Sequence, residues 1–502
     1  MVINAVVKLF LKDRLKDIEA FSERPIKTQS NILYSLLHSA KDTYIGKKYR
    51  FESIKNSKVY KERVPLHNYE DIKPYTEKIF KGEDNVIWPS PIRWFAKSSG
   101  TTSDKSKFIP VSYESLEDNH YKAGKDLMAS YCHNHPETGL FKSGKGLIIG
   151  GSHEVSEHNY EIFHGDLSAV LLQNLPLIAR YFRTPSLETA LLDNWDQKLE
   201  QMAKECISEN VTQISGVPSW TMVLINKLLE ISGKNNLSDV WPNLELYIHG
   251  GVSFAPYEEQ YLSVIKSPSM NYCETYNASE GFFGFQNDPK SKDMLLLLNH
   301  GIYYEFIPMS EIESDQPKTI DLTDVKKDVN YAIVISTNSG LWRYVIGDTV
   351  KFTSTFPFKI QVSGRIKHFI NAFGEEIIIE NAEFALTKAC KKNNASIKDY
   401  TAAPIYFSEG QAGGHEWLIE FEKEPKDLEA FVVSLDNALK EANSDYEAKR
   451  YNDYNIRMPL IRKAPKDLFY KWLKIKGKLG GQHKVPRLSN DRKHLEQLLS
   501  LI

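Results

Sequence analysis

The chain has 502 residues, enough for two to four domains at roughly 100–200 residues each. Apolar residues make up 41% and charged residues 25%, ordinary globular usage that allows a large core and sets disorder aside. Lysine and arginine (63) nearly balance aspartate and glutamate (65), and the net charge of −2 removes the simplest case for a nucleic-acid binder, although a local basic cleft stays open.

The chain begins MVINAVVKLFLKDRLKDIEAF, in which Val6, Val7, Phe10, Leu11 and Leu15 recur at helical spacing. Lys8 breaks the apolar run and Lys12, Asp13 and Arg14 end it, so the segment predicts an amphipathic helix docked on the body rather than a signal peptide. A membrane-surface helix is the other reading. Residues 1–60 read as helical and lysine-rich. From about 90 to 365, short apolar runs at 146–152, 244–254, 331–337 and 358–364 read as strands ending in glycine or polar turns. Helical patterns at 186–207 and 219–232 lie between them, and this interleaving predicts an α/β fold. Strands near 401–408 and 415–422, then helices near 427–442 and 465–475, predict a small α+β domain, with the boundary inside 364–376. The expected domains are therefore 1–365 and 366–502. Four cysteines lie far apart with no CxxC pair, as expected of reduced thiols in a cytoplasmic protein. No stretch approaches the ~20 apolar residues of a membrane span.

Four segments carry residues suited to chemistry. The first, KSSGTTSDKSKFIP (97–110), follows an apolar run and precedes a helix expected near Ser112. Gly100 allows a tight turn, while Ser98, Ser99, Thr101, Thr102 and Ser103 can donate to phosphate oxygens and Lys107 can supply charge. A polar surface turn fits the same composition. In NYCETYNASEGFFGF (271–285), Tyr276 offers a face for a base, and Ser279 and Glu280 sit on a turn. One carboxylate there suits Mg²⁺ held mainly by phosphate, and a solvated glutamate is the bland alternative. In GLWRYVIGDTVKF (340–352), Asp348 follows a strand beside Gly347, a placement that suits ribose hydroxyls or a hairpin turn. In GRIKHFINAFGEEI (364–377), Arg365 could hold ribose or phosphate, and Gly374 permits a hinge. Zinc-site, serine-hydrolase and dinucleotide fingerprints are absent from the sequence.

The order of these segments resembles the adenylate-forming superfamily of acyl and aryl ligases: an SSGTT loop, HGG (249–251), Y-x-x-S-E, G-D and G-R. Within it the chain resembles the auxin-responsive acyl acid-amido synthetases, the Gretchen Hagen 3 family, in a compact, bacterial-like version. Lys107 lies one residue later than in the wider ligases. GVPSW (216–220) resembles the family's segment beside the acyl pocket, and GGQHKVPR (480–487) its late lysine motif. The likeness runs from about residue 20 to 490. Asn277 stands where the wider ligases carry glycine, and the arginine of their Y-R-x-G-D is missing from Tyr344-Val345-Ile346-Gly347-Asp348, which leaves open whether Arg343 substitutes.

The resemblance implies a large multi-sheet N-terminal adenylation domain and a smaller, mobile C-terminal lid. It implies activation of a carboxylic acid by ATP as acyl-AMP and transfer to an amine, usually of an amino acid. Thioester formation with a thiol such as coenzyme A, and a non-catalytic nucleotide-binding protein, are the alternatives. Ser98 to Ser103 and Lys107 would hold the β- and γ-phosphates, and Gly250 and Gly251 would pass close to adenine. Tyr276 would stack on it, in the run Tyr276-Asn277-Ala278-Ser279. Ser279 and Glu280 would face the α-phosphate, Glu280 through Mg²⁺. Asp348 would bind the ribose with Arg365 nearby. Lys484, or failing it Lys478, would reach the reacting carboxylate. Val217, Trp220, Met222 and Val223 would line the acyl pocket, or pack in the core.

Overall fold

The computed structural model describes residues 2–502 apart from 99–106, 152, 156–160, 193, 252–253, 255–256, 313, 315, 367–368, 371–374, 376, 406–412, 444–445, 448–449, 451–455, 478–483 and 490–491. Its backbone is one eleven-stranded sheet. From one edge to the other the strands are Ile302–Pro308, Asn330–Thr337, Tyr344–Thr355, Phe358–Arg365, Met294–Leu296, Gly281–Phe285, Asn271–Ala278, Leu246–Gly250, Val211–Gly216, Lys145–Ile148 and Arg183–Thr184. The first seven pair antiparallel, and the last five, from Asn271–Ala278 outward, pair parallel. Sequence chemistry explains the division. NYAIVIST (330–337) is buried at every position after Asn330, as a β-branched strand covered on both faces should be. The parallel strands are joined by helices such as Trp195–Cys206 and Pro218–Ser232, because a parallel return needs a crossover. Proline in the first turn starts the second of these helices, and Gly233, at φ 65°, ends it.

A four-stranded sheet carries the strands Trp94–Ser98 and Lys107–Val111, which pair antiparallel and bracket residues 99–106. The expected helix start at Ser112 is present: its hydroxyl accepts from Ser115 N at 3.0 Å. A short π-helical stretch, Leu116–Tyr121, follows before the helix Lys122–Asn134. The pattern at 186–207 splits into Leu187–Ala190 and Trp195–Cys206, because Ser186 and Asn194 each cap a separate helix. No disulfide joins any of the four cysteines. No helix among the described residues is long and apolar enough to cross a membrane.

The N-terminal helix, Val2–Glu23, docks as its apolar spacing predicts. Leu11 is buried, and Arg14 Nε donates to the buried Asp126 at 2.6 Å. Asp126 also meets His300 Nε2 at 3.1 Å. Gln29, on the next helix (Pro25–Ala40), bonds the carbonyls of Leu298 and Ile302 and the amide of Tyr304 at 2.8–2.9 Å.

Toward the C-terminus the strands Ser396–Ile405, Gly414–Lys423 and Leu460–Lys463 form a separate three-stranded sheet. On one side Ile370, Leu386, Tyr400, Trp417, Phe431 and Leu435 form a core with the helices Ile379–Asn393 and Leu428–Ala442. On the other, Leu418, Phe469, Trp472, Val485 and Leu498 form a second cluster with Leu468–Ile475. The fold is thus α/β with a large multi-sheet N-terminal part and a smaller α+β part, as the sequence predicts.

One buried ion pair ties the antiparallel half together. Arg343, only 5% exposed and held at φ 43°, forms a bidentate pair with Glu305 at 3.0–3.2 Å. It also donates to the carbonyls of Lys61 and Val64 and to Thr319 Oγ1. Glu305→Ala would strand that guanidinium in the core. It should cost about 3–5 kcal/mol, read as a lowered midpoint in urea denaturation, because an uncompensated buried charge is among the most destabilising of defects.

Candidate active site

The parallel strands bring three segments to their carboxyl ends, the place where open α/β sheets bind ligands. Leu246–Gly250 ends on His249-Gly250-Gly251, Val211–Gly216 on Val217, and Asn271–Ala278 on the turn Ser279-Glu280. Gly250 is required by space. A side-chain carbon there would fall 2.4 Å from Thr275 O. Gly251 is required by conformation, at φ 78°. The same test shows what approaches it, since a carbon on Gly251 would lie 3.3 Å from Lys484 Nζ and 3.5 Å from Val217 Cγ2. The late lysine, carried by the C-terminal part, therefore reaches the strand ends.

Tyr276 is buried, and its hydroxyl donates to Asp348 Oδ2 at 2.8 Å. Its ring packs on Phe283 with centroids 4.7 Å apart. This bond joins two motifs that lie 72 positions apart in sequence. Asp348 pairs in register with Arg365 on the adjacent strand, which brings the G-D and G-R motifs together; the side chain of Arg365 lies outside the described residues. Gly347, at φ 95°, accepts from Ile366 N at 2.7 Å and makes the bend between them.

Ser279 and Glu280 are the two turn residues between the paired Ala278 and Gly281. Ser279 is buried and Glu280 half-buried. Asn119, on the π-helical stretch, holds this hairpin from behind. Its side chain accepts from Phe282 N at 2.7 Å and donates to Phe282 O at 3.1 Å. Asn277, half-buried, lies within reach of His120 on the same stretch. Neither Asn119 nor His120 is marked by any sequence motif. The π-helical insertion that aims them has no signature in residue spacing.

Ser98 and Lys107 are paired residues at the mouth of the SSGTT loop. Ser99, Gly100, Thr101, Thr102 and Ser103 lie outside the described residues, as do the side chain of Ser98, Lys478 and the hinge candidate Gly374. Lys107 Nζ sits 5.9 Å from the Tyr69 ring, and Tyr69 Oη accepts from Phe108 N. Of the four acyl-pocket candidates, Val217 lies at Gly251. Trp220, Met222 and Val223 face a cavity of about 460 Å³ between the helix Pro218–Ser232 and the C-terminal part, and Lys484 lines the same cavity. Met222 is mostly core, and Trp220 packs edge-on against Trp195 at 4.7 Å. Arg343 directs its guanidinium to Glu305 and to the carbonyls of Lys61 and Val64.

Among the described residues no three His, Cys, Asp or Glu side chains converge as a protein-only metal cage requires. A Mg²⁺ ion held chiefly by phosphate needs only one or two carboxylates, and the half-buried Glu280 on this turn could supply one.

Solved structures share this architecture. A 2-hydroxyisobutyryl-CoA ligase bound to 2-HIB-AMP superposes at TM-score 0.61, with 12% identity over 94% of this chain and 91% of that one. The GH3.15 acyl acid amido synthetase superposes at 0.79, with 18% identity over 97% and 95%. Residues 14–270 match the GH3 family N-terminal domain, 295–365 its central domain and 380–493 its C-terminal domain. The chain belongs to the GH3 family. Its relatives include, from Arabidopsis thaliana, the putative indole-3-acetic acid-amido synthetase GH3.9, 24% identical over 96% of this chain and 94% of that protein. Another is the 4-substituted benzoates-glutamate ligase GH3.12 from the same plant, 22% identical over 99% and 97%.

Two buried histidines give the site a pH signature. Burial lowers His120 from the ordinary 6.5 to about 4, against a hydrogen bond with Asn277 that raises it. Burial lowers His249 to about 3. In the unfolded chain both take up protons near pH 6.5, and in the folded chain only near those lower values. Stability is therefore full above pH 6.5 and falls as pH drops below it, by about 1.4 kcal/mol per pH unit for each histidine. Urea denaturation between pH 7 and pH 4.5 should show this decline, and His120→Gln should make it shallower.

Proposed function

We propose that this chain is an ATP-dependent acyl acid-amido synthetase. It activates a carboxylic acid as acyl-AMP and transfers the acyl group to an amine, in keeping with relatives named as an acid-amido synthetase and a benzoates-glutamate ligase, matched over nearly their whole length. The observation that carries the reading is the approach of Lys484 Nζ to Gly251, at the same strand ends as the Tyr276–Asp348 pair.

In the first half-reaction a carboxylate oxygen of the acid attacks the α-phosphorus of ATP. The bond from that phosphorus to the bridging β-oxygen breaks, and pyrophosphate leaves. Charge builds on phosphoryl oxygens, so the chain's contribution is positioning and electrostatic stabilisation. Tyr276 presents its ring to adenine beside the Gly250-Gly251 track. Asp348, already oriented by the Tyr276 hydroxyl, accepts from the ribose hydroxyls, with Arg365 next to it. Ser98 to Ser103 and Lys107 hold the β- and γ-phosphates. Ser279 donates to the α-phosphate. Mg²⁺, held by Glu280, would neutralise phosphate charge there. Lys484 draws the carboxylate and the α-phosphate together as a compact cation on a flexible stem. In the second half-reaction the amine nitrogen attacks the acyl carbon, the bond from carbon to the phosphate oxygen breaks, AMP leaves, and the amine proton passes to solvent.

Residues 1–365 form the adenylation domain and 366–502 the lid, which turns between the two steps. That rotation withdraws Lys484 and lets the amine enter while water is kept from the adenylate. Trp220, Met222 and Val223 offer an apolar or aromatic wall to the acid, in a cavity that also carries Glu259, Lys398, Asp399 and Glu420.

Pyrophosphate release measured over a panel of acids, then amide formation over amines and thiols, tests the reading. Release with no acid in the panel, or thioester without amide, overturns it. Glu280→Gln should slow adenylation by about 10²-fold, the usual loss for one charge-stabilising group. Excess chelator should abolish acid-dependent pyrophosphate exchange. Lys484→Ala should slow adenylation strongly yet spare amide formation from a supplied acyl-adenylate, a split that a folding defect would not produce.

A further inference from the structure

Lys484 is held in place by the residues that follow it. Residues 484–489 lie along the strand Ser396–Ile405. Thr401 Oγ1 donates to Pro486 O at 2.6 Å, Ala402 N to Arg487 O at 2.8 Å, and Ser489 N to Ala402 O at 3.1 Å. Pro486 stiffens the short span between the lysine and this anchor. Arg487 completes it from its own side of the chain. Its guanidinium pairs with Asp399, donates to Tyr400 O at 3.3 Å and lies 4.7 Å from the centre of the Tyr400 ring. Tyr400 is in turn fixed by its hydroxyl donating to Glu383 at 2.9 Å.

The other arm of the same guanidinium crosses to the large sheet's side. Arg487 Nη2 donates to the hydroxyl of Tyr257 at 3.2 Å. Tyr257 precedes the helix Glu258–Val264 and is buried in the cluster that includes Tyr261, Ile225 and Met222. It shares that cluster with Met222 and lines the same cavity as Trp220, Val223 and Lys484. Its hydroxyl is a neutral acceptor offered to a cation that burial would otherwise penalise, the kind of hydrogen bond that is both strong and directional.

We propose that Tyr257 is a positioning residue for adenylation: by accepting from Arg487 it sets residues 484–489 against the strand ends and so holds the Lys484 ammonium beside Gly251. The proposal rests on the reading of Lys484 given above. It adds that the contact belongs to the first half-reaction alone, because the rotation that withdraws Lys484 must also part Arg487 from Tyr257.

Tyr257→Phe removes the acceptor and keeps the ring, so the cluster stays filled. Single-turnover adenylation and amide formation from a prepared acyl-adenylate are measured on the full chain for wild type, Tyr257→Phe, Lys484→Ala and the double variant. Tyr257→Phe should slow adenylation about 10-fold, leave amide formation unchanged or faster, and leave the melting temperature within a few degrees. In the Lys484→Ala background it should have almost no further effect on adenylation, since it acts only through that lysine. Arg487→Lys, which keeps the charge but loses the planar fork, should slow adenylation at least as much. The proposal is overturned if Tyr257→Phe adenylates at the wild-type rate, if it slows both half-reactions equally, or if its effect adds fully to that of Lys484→Ala. If wild type releases no pyrophosphate with any acid, the functional reading fails. If wild type does so and Tyr257→Phe behaves identically, this inference alone fails.

Discussion

The Glu305–Arg343 pair is the fixed point of the antiparallel half. A guanidinium this deeply buried is tolerable only with every donor engaged, and its partners come from one strand, one loop and the end of the helix Ser57–Arg63. Because Arg343 immediately precedes the strand Tyr344–Thr355, the same pair sets where that strand begins. Asp348 lies four residues on. The orientation of the ribose-binding candidate is thus inherited from an ion pair that takes no part in binding.

The other half of the site depends on close approach. The parallel strands deliver Gly250, Val217 and the Ser279-Glu280 turn to one edge, and the absence of a side chain at Gly250 lets neighbouring strands stay in register there. The Tyr276–Asp348 hydrogen bond then bridges the parallel and antiparallel regions. Lys484 approaches from a separate core. The strand-end candidates and the candidate lysine are therefore built on different scaffolds.

Much of this was legible in the sequence because it rests on local chemistry. Glycine placement, a β-branched run such as 330–337 and the ordered motifs gave the fold class and most of the strand-end residues. The split of 186–207 into two helices was missed because apolar periodicity outweighed the cap at Asn194. Arg343 was ambiguous because a sequence does not show Glu305, 38 positions away, beside it. Tyr257, Asn119 and His120 were invisible for the same reason: each acts through a partner distant in sequence, and none belongs to a short pattern. Three of the acyl-pocket candidates proved to face a cavity shared with the C-terminal part, a relation that helical spacing alone could not reveal.

The docking of the first two helices has a consequence for synthesis. Gln29 finds its partners at Leu298, Ile302 and Tyr304, and Asp126, which holds Arg14, needs His300. The centre of the sheet, Met294–Leu296, pairs on one side with a strand that ends at Arg365. At the usual ribosomal pace of about 5–20 residues per second, these polar partners arrive on the order of 15–60 seconds after the N-terminal helices, whereas the helix Lys122–Asn134 and the cluster from Ile45 to Phe95, which supply much of their apolar packing, are made earlier. Until then Gln29 and Asp126 lack partners that they hold in the finished chain, so these polar bonds are among the last that the N-terminal helices make.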